Sequence, residues 1–174
     1  MKSADIVRVV VYNGKVVEDY GNIFDHFSIV YDYPNNVRAF HASRQINLTA
    51  AANTDSFYGS AGTCEINGSS KQFVIKDLKG NVTWRHAPEK SDMYQVEHDE
   101  FFASIRAGNP INDGDRMATS TLLSIMGRMA AYTGQEITWE MAMNSKEKLV
   151  PDQFDWDMKL PVPPVALPGI TPFV

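Results

Sequence analysis

The 174-residue sequence has one cysteine, Cys64, which excludes an intrachain disulfide and a zinc site built from several cysteines. No apolar run approaches the ~20 residues that cross a bilayer, so no membrane contact is predicted. The first residues lack the apolar segment of a secretory signal, which favours a cytoplasmic protein, with export of a longer parent chain as the alternative. Lysine and arginine number 16 against 21 acidic residues, and the net charge of −5 argues against a nucleic-acid partner.

Sequence signatures of cofactor and catalytic sites are also missing. No G-x-G-x-x-G motif follows a strand pattern, since Gly59-Ser60-Ala61-Gly62 is too short a match and no helix pattern follows it. The sequence contains no phosphate-binding loop, no H-E-x-x-H zinc motif and no G-x-S-x-G nucleophile turn. We therefore predict no cofactor site, no metal site and no catalytic residue within this chain alone.

The composition, 44% hydrophobic and 21% charged, is that of a globular protein with a substantial core. Strand patterns come first and helical patterns follow, which predicts an α+β fold: a mostly antiparallel open sheet with helices packed on one face. Six of the nine prolines lie in residues 151–174 and predict an extended C-terminal arm, docked along a surface such as that of another subunit. We therefore predict one domain at residues 1–150 and an arm at 151–174.

The first half of the chain predicts β-hairpins. Residues 5–20 form the first, with a turn at Asn13-Gly14, the strongest two-residue turn signal. Residues 24–33 and 37–45 form the second, across Pro34-Asn35-Asn36. A loop is predicted at 46–56. After it we predict a strand at 57–66 that its glycines make irregular, and a strand pair at 72–76 and 82–85. One face of the 24–33 strand carries Phe27, Ile29, Tyr31 and Tyr33.

Two amphipathic helices are predicted at residues 94–107 and 115–133, joined by a short turn. Ser91 or Asp92 can cap the first helix, and Gly134 ends the second. We expect the apolar stripes of both helices to pack on the sheet. A short strand at 137–139 and a capped helical turn at 144–149 follow. The methionines expected to fill the core are Met117, Met126 and Met129.

Four polar residues are expected to meet at one end of the second hairpin. A pairing centred on Asn35 places His26 opposite Arg44 and Asp25 opposite Gln45. This cluster suits a carbohydrate or a carboxylate, because a guanidinium can bind an anion through two hydrogen bonds. The alternative is a cross-strand charge pair that stabilises the hairpin by about 0.2–1 kcal/mol.

Several runs of residues point to a known family. In the first half they are YGNIFDHF at 20–27, YDYPNNV at 31–37 and SRQ at 43–45. In the second half they are YQVEHD at 94–99, SIRAGNPIN at 104–112, MGRMAAYTG at 126–134 and FDWDMKLPVPP at 154–164. Together they resemble the C-terminal domain of the Gfo/Idh/MocA oxidoreductases, in a bacterial branch of that family, over residues 20–173.

Members of that family carry an N-terminal Rossmann domain that binds NAD or NADP, and a C-terminal domain whose open sheet shapes a sugar or polyol site and makes the oligomer. This sequence has no Rossmann fingerprint, no Glu-Lys-Pro segment and no Asp-x-x-x-His helix before the sheet. The resemblance implies a substrate-binding and oligomerisation domain that is not catalytically competent alone, with NAD or NADP bound by a longer parent. The implied partners are a second copy through the sheet face, a Rossmann domain, and a small sugar-like ligand at Asp25, His26, Arg44 and Gln45.

Other functions stay open. A stand-alone carbohydrate-binding or self-associating scaffold would keep the sheet without an oxidoreductase parent. A cofactor-independent hydrolase or isomerase would use His26 or His98. Because His98 lies on the apolar face of the first predicted helix, we expect it to be a core or sheet-facing histidine with a hydrogen-bond partner. Neither the substrate nor the choice between NAD and NADP follows from the sequence.

Overall fold

The computed structural model describes residues 8–14, 22–45, 48, 50, 52–68, 70–87, 92–159, 161 and 163–174. Within these residues the chain is α+β, as predicted, with two antiparallel sheets and three α-helices. The chain divides into two compact units. Unit 1 comprises Met1–Asn47 and Asn112–Val174, and unit 2 comprises Leu48–Ile111. The division into a domain at 1–150 and an arm at 151–174 stays a prediction.

The strands and helices follow one another in the predicted general order. The strands are β1 Arg8–Gly14, β2 His26–Tyr33, β3 Val37–Arg44, β4 Thr54–Gly59, β5 Gly62–Asn67, β6 Gln72–Asp77 and β7 Val82–Arg85. The helices are α1 Met93–Arg106, α2 Gly114–Thr133 and α3 Trp139–Asn144. In the described part of the chain, no helix has both the length and the apolar character that a membrane span requires.

Unit 1 contains an antiparallel sheet with the strand order β1-β2-β3. The predicted hairpin of β2 and β3 is confirmed, and the two strands are joined by a 3-10 turn at Pro34–Asn36. Asn35 and Asn36 have φ angles of 63° and 59° in this turn. Asparagine adopts this left-handed backbone region more readily than most other residues, which explains why the chain reverses here.

The predicted turn at Asn13-Gly14 is wrong. Both residues continue β1, with Asn13 opposite Phe27 and Gly14 opposite His26. An Asn-Gly pair makes a hairpin turn only where the next residues return along the same strand, and here β2 is the partner along the whole of β1. The predicted return strand at 15–18 lies outside the described residues.

The core of unit 1 lies between α2 and one face of the sheet. The buried residues of this cluster are Ile29, Tyr31, Met126, Met129, Ala130, Ile137 and Ala142. Phe27 and Tyr33 pack against them, so the predicted apolar face of β2 is confirmed. Met126 and Met129 fill the core as expected. Met117 is exposed instead, because only the C-terminal half of α2 is buried.

Gly127 allows α2 to approach the sheet closely. A Cβ atom at this position would clash with Tyr31 Oη and would lie 2.9 Å from Ile29 Cδ1. The Tyr31 hydroxyl donates a hydrogen bond to the Leu123 carbonyl at 3.4 Å. Burial, followed by the neighbouring Tyr33, raises the pKa of Tyr31 above its ordinary value, so the hydroxyl keeps its proton. The helix and the strand therefore meet where only glycine leaves enough room.

The strand predicted at 137–139 is wrong, because this segment leads into α3. Thr138 caps the helix, and its Oγ1 accepts a hydrogen bond from Met141 N at 3.1 Å. Ile137, whose β-branched side chain suggested a strand, is a fully buried core residue before the cap.

The helical turn predicted at 144–149 is also wrong. This segment instead binds the last residue described: the Ser145 side-chain Oγ and the Lys146 backbone N donate to the Val174 carbonyl at 2.6 Å and 3.0 Å. Earlier in the arm, Gly169 N donates to the Thr133 carbonyl at 2.7 Å. The described residues after α3 form no helix or strand, and their final part packs on unit 1 itself. Trp156 remains exposed.

Unit 2 contains the antiparallel meander β4-β5-β6-β7. The predicted pairing of β6 with β7 is confirmed, with Ile75 opposite Trp84. The single strand predicted at 57–66 is wrong, because β4 and β5 are separate strands joined at Ser60-Ala61, and β4 begins inside the predicted loop. Gly62 is required because a Cβ there would clash with the Lys76 carbonyl on β6.

The helix α1 begins and ends where the sequence predicts. Asp92 caps it by accepting a hydrogen bond from Tyr94 N at 2.9 Å, and Gly108 follows with a φ angle of 74°. The expected burial of its apolar stripe is wrong, since α1 has no buried residue. The apolar face of β2 in unit 1 is instead covered by α2.

Replacing Gly127 with alanine is expected to lower the free energy of unfolding by about 1–3 kcal/mol, because the added methyl group overpacks the contact between α2 and β2. Urea denaturation followed by circular dichroism measures this change. Gly114→Ala, at the exposed first residue of α2, is the matched control. Adding Tyr31→Phe should recover part of the loss by removing the oxygen atom that the methyl group meets. Unchanged stability of Gly127→Ala would contradict the close approach.

Candidate functional site

The four residues predicted to form a polar site lie at the end of the β2–β3 hairpin that is distant from its turn. Asp25 precedes β2, His26 begins it, Arg44 ends β3 and Gln45 follows. The predicted pairing is confirmed, because His26 lies opposite Arg44 and Gln45 N donates to the Asp25 carbonyl at 2.7 Å. The fold brings the four backbone positions together, and their role in binding stays a prediction.

The side chains of this cluster differ in how far they are exposed. Side chains alternate along a strand, and Ile29 lies on the face that α2 covers, so His26 and its cross-strand neighbour Arg44 share the other face. The His26 side chain is 32% exposed and that of Asp25 only 11%. Arg44 is exposed. A ligand on the uncovered sheet face can therefore reach the imidazole and the guanidinium, while the carboxylate lies behind them.

A short side-chain contact in the cluster joins the imidazole and the carboxylate. His26 Nδ1 lies 2.7 Å from Asp25 Oδ1. An ionised carboxylate only accepts hydrogen bonds, so the ring nitrogen is the donor. The guanidinium of Arg44 adds up to five N–H donors. The guanidinium and the partly exposed imidazole lie in one cross-strand row, which suits a ligand with hydroxyl or carboxylate groups.

An aromatic cluster holds the start of β2 in position. Phe24 is buried, its backbone N–H donates to the Tyr132 hydroxyl at 3.1 Å, and the two rings lie 4.4 Å apart. The guanidinium of Arg128 lies 4.5 Å above the Tyr132 ring and binds both carboxylate oxygens of Glu147, at 2.9 Å and 3.0 Å. The sequence analysis missed these supporting residues. The spacing of Arg128 and Tyr132, one helical turn apart at the end of α2, was the available signal.

The other histidines lie away from this cluster along the chain. His41 is exposed on β3, and His86 follows β7 with its ring 5.3 Å from that of Phe73. His98 Nδ1 lies 2.7 Å from the Tyr94 carbonyl oxygen, but the expectation of a core histidine is wrong because the residue is exposed on α1. No group of three or more potential metal-binding side chains occurs among the residues for which the structure gives positions.

Unit 2 contains a cavity of about 450 Å³ beside the turn between β4 and β5. Part of its lining is a cross-strand row formed by Phe57, Cys64 and Ile75. The sequence analysis missed this cavity because the row exists only when 57–66 folds as two paired strands. The surface is mostly apolar and carries few groups that could orient a ligand.

Asp77 lines the same cavity and closes the turn between β6 and β7. Its Oδ1 accepts hydrogen bonds from Lys79 N and Asn81 N, and its Oδ2 accepts one from Asn81 Nδ2, each at 2.9 Å. The side-chain hydrogen bond from Asn81 is the largest cause that lowers the pKa of this carboxyl below its ordinary value. The hydrogen bonds of the carboxylate therefore stabilise the turn.

Comparison with known proteins supports the fold. No family model and no curated protein matches the chain. The chain is similar to a solved structure described as "putative oxidoreductase from Thermotoga maritima", with a TM-score of 0.56 and 17% sequence identity. The match covers 78% of this chain and 41% of the other, so this chain spans less than half the length of that protein. At this identity the likeness shows a shared fold, one that occurs in a protein described as an oxidoreductase.

Replacing Tyr132 with phenylalanine is expected to lower the free energy of unfolding by about 1–3 kcal/mol, because the buried Phe24 N–H loses its acceptor. Urea denaturation gives the size of the change, and hydrogen exchange should show faster exchange at the Phe24 amide. Tyr58→Phe, at an exposed tyrosine of β4, is the matched control. Equal stability and equal exchange in the two variants would mean that Tyr132 does not hold the start of β2.

Replacing Asn81 with alanine is expected to raise the pKa of Asp77 toward that of a free carboxyl, as followed by NMR titration of its side-chain carbon. Because the pKa of Asp77 is lowered in the folded state, its ionised carboxylate stabilises the fold. This stabilisation is complete above the ordinary carboxyl pKa and is lost as the pH falls through the pKa of the folded state. Asn67→Ala in the same sheet is the control and should leave the Asp77 titration unchanged. An Asp77 pKa that does not respond to Asn81→Ala would contradict the assigned cause.

Proposed function

We propose that this chain is the substrate-binding and oligomerisation domain of a sugar or polyol oxidoreductase of the Gfo/Idh/MocA type, and that it is not catalytically competent alone. The observation that carries the proposal is the fold match, which covers most of this chain but 41% of the oxidoreductase-described protein. A chain that corresponds to one part of a longer enzyme supplies one part of its function. The sequence runs that resemble the C-terminal domain of that family support the same assignment.

In this proposal a nicotinamide cofactor, NAD or NADP, is bound by a Rossmann domain outside this chain. The cofactor would accept or donate the hydride, whereas residues of this chain would bind and orient the substrate. Within the described part of the chain, the glycine pair that comes nearest to a nucleotide motif does not fit the cofactor. The glycine pair Gly59 and Gly62 joins two antiparallel strands, whereas a dinucleotide site needs a glycine-rich turn that leads from a strand into a helix.

The substrate side of the proposal rests on the cluster of Asp25, His26, Arg44 and Gln45. Its side chains combine hydrogen-bond donors with an acceptor, as recognition of a sugar or polyol requires. The proposed oligomerisation rests on the sheet face that α2 leaves uncovered. Phe40 lies on this face in register with Val30 and is 76% exposed, which suits burial against a second copy.

The first test is isothermal titration of this chain with NADH and with NADPH, with its mass in solution measured by light scattering. We expect no heat of binding and a dimer or a larger oligomer. An unrelated Rossmann dehydrogenase titrated in the same buffer is the positive control. Micromolar binding of either cofactor by this chain alone, or a monomer at all concentrations, would contradict the proposal.

The role of the sheet face is tested in the same mass measurement. Phe40→Ser should shift the oligomer toward the monomer, because it removes an exposed apolar side chain from the proposed interface. Leu78→Ser removes a side chain of similar exposure, 72%, from the β6–β7 turn and is the matched control. Equal association of the two variants would show that the oligomer forms elsewhere.

A further inference from the structure

We propose that His26, held in one tautomer by Asp25, is the residue that accepts a hydrogen bond from a hydroxyl group of the bound ligand. This inference rests on the proposed function, because it assigns a role within the same substrate site. It also requires that the ligand present a hydroxyl group to the imidazole.

The first step of the argument is that the backbone at His26 is fixed on several sides. The Phe24 N–H is bound by the buried Tyr132 hydroxyl, and the Asp25 carbonyl accepts from Gln45 N. His26 itself is paired within the sheet, with strands on both sides. Three consecutive residues therefore have an anchored backbone, so their side chains start from well-defined positions.

The second step concerns the tautomer. The distance of 2.7 Å between Asp25 Oδ1 and His26 Nδ1 is that of a strong hydrogen bond to a carboxylate. Because the carboxylate accepts, a neutral imidazole carries its proton on Nδ1 and has a lone pair on Nε2. Asp25 is largely buried and is thus a positioning residue, while the partly exposed ring presents the acceptor.

The third step is that Nε2 is available. Within the part of unit 1 that the structure describes, the His26 side chain makes no hydrogen bond other than the one to Asp25. The side chain is 32% exposed, so part of the ring is open to solvent. A ligand atom can therefore approach the ring from the face of the sheet that α2 does not cover.

The fourth step identifies the ligand class. Arg44, in the same row, only donates hydrogen bonds, and Nε2 of neutral His26 accepts one. A hydroxyl group both donates and accepts, so adjacent hydroxyls of a sugar or cyclic polyol match this pair. A simple carboxylate that has no hydroxyl group could bind Arg44 but has no hydrogen to give to Nε2.

The tautomer is tested without any ligand. Two-bond nitrogen–hydrogen correlation NMR at alkaline pH, on the full chain labelled with nitrogen-15, should show that Nδ1 of His26 carries the proton. In Asp25→Asn this preference should weaken. His41 on β3 is the internal control and should not respond to the substitution. A His26 ring that already carries its proton on Nε2 in the wild type would overturn the proposal.

The ligand class is tested by titrating the same protein with D-glucose, myo-inositol and acetate. We expect at least one polyol to shift the His26 ring signals, and acetate, which has no hydroxyl group, to shift them less. His26→Phe should weaken that binding about threefold to tenfold, the effect of one lost hydrogen bond, and His41→Phe should leave it unchanged. If His26→Phe fails to fold, Asp25→Asn should weaken binding in the same direction.

The outcomes separate this inference from the proposed function. No response of His26 to either polyol, or a stronger response to acetate, would overturn the inference while leaving the domain assignment in place. Binding of NADH by the chain together with a normal polyol response at His26 would overturn the proposed function and leave the role of His26 supported.

Discussion

The contact between α2 and β2 at Gly127 is the constraint on which unit 1 depends. Because glycine has no side chain, the helix lies close enough for the Tyr31 hydroxyl to reach the Leu123 carbonyl across the interface. That close approach brings Met126, Met129 and Ala130 of α2 onto the apolar face of the sheet, where they are buried. Protein interiors pack without voids, so the position of one helix relative to one strand determines how every other side chain in the core fits.

The same helix also positions the polar site at the end of the hairpin. Tyr132 lies in the last turn of α2, and its hydroxyl binds the backbone directly before Asp25 and His26. Arg128 packs on the Tyr132 ring and is itself held by Glu147. A chain of contacts therefore runs from the segment after α3, through α2, to the start of β2. The polar residues stand on a rigid support even though they lie at the open end of the β2–β3 hairpin.

Much of the fold follows from local sequence patterns, and the exceptions have identifiable causes. Asn35 and Asn36 predict the hairpin turn because their backbone preference acts within a few residues. The Asn13-Gly14 signal is equally local, but the strand that pairs with β1 is chosen by distant residues. Ile137 suggests a strand by its own preference, and the cap at Thr138 with burial in the core decides otherwise. Local patterns limit the conformations that a segment can adopt, and its tertiary contacts select one of them.

The candidate site also has parts that follow from local sequence and parts that depend on distant residues. The pairing of His26 with Arg44 follows from counting outward from the turn, since a hairpin register depends only on its own residues. The link from Phe24 to Tyr132 spans 108 residues and has no local signature. The cavity in unit 2 depends on β4 and β5 forming separate strands, which the glycines at 59 and 62 concealed.

Unit 1 is formed by two stretches of chain with the whole of unit 2 between them. During synthesis on the ribosome, the sheet of unit 1 emerges first, but the helix that covers it is made only after residues 48–111. The contacts of Gly169 and Val174 come later still. The apolar face of β2 therefore stays exposed while unit 2 is made, and a chaperone could bind it during this interval. The order of synthesis thus lets the sheet of unit 1 complete its strand pairing before the meander of unit 2, while the core of unit 1 is completed only after it.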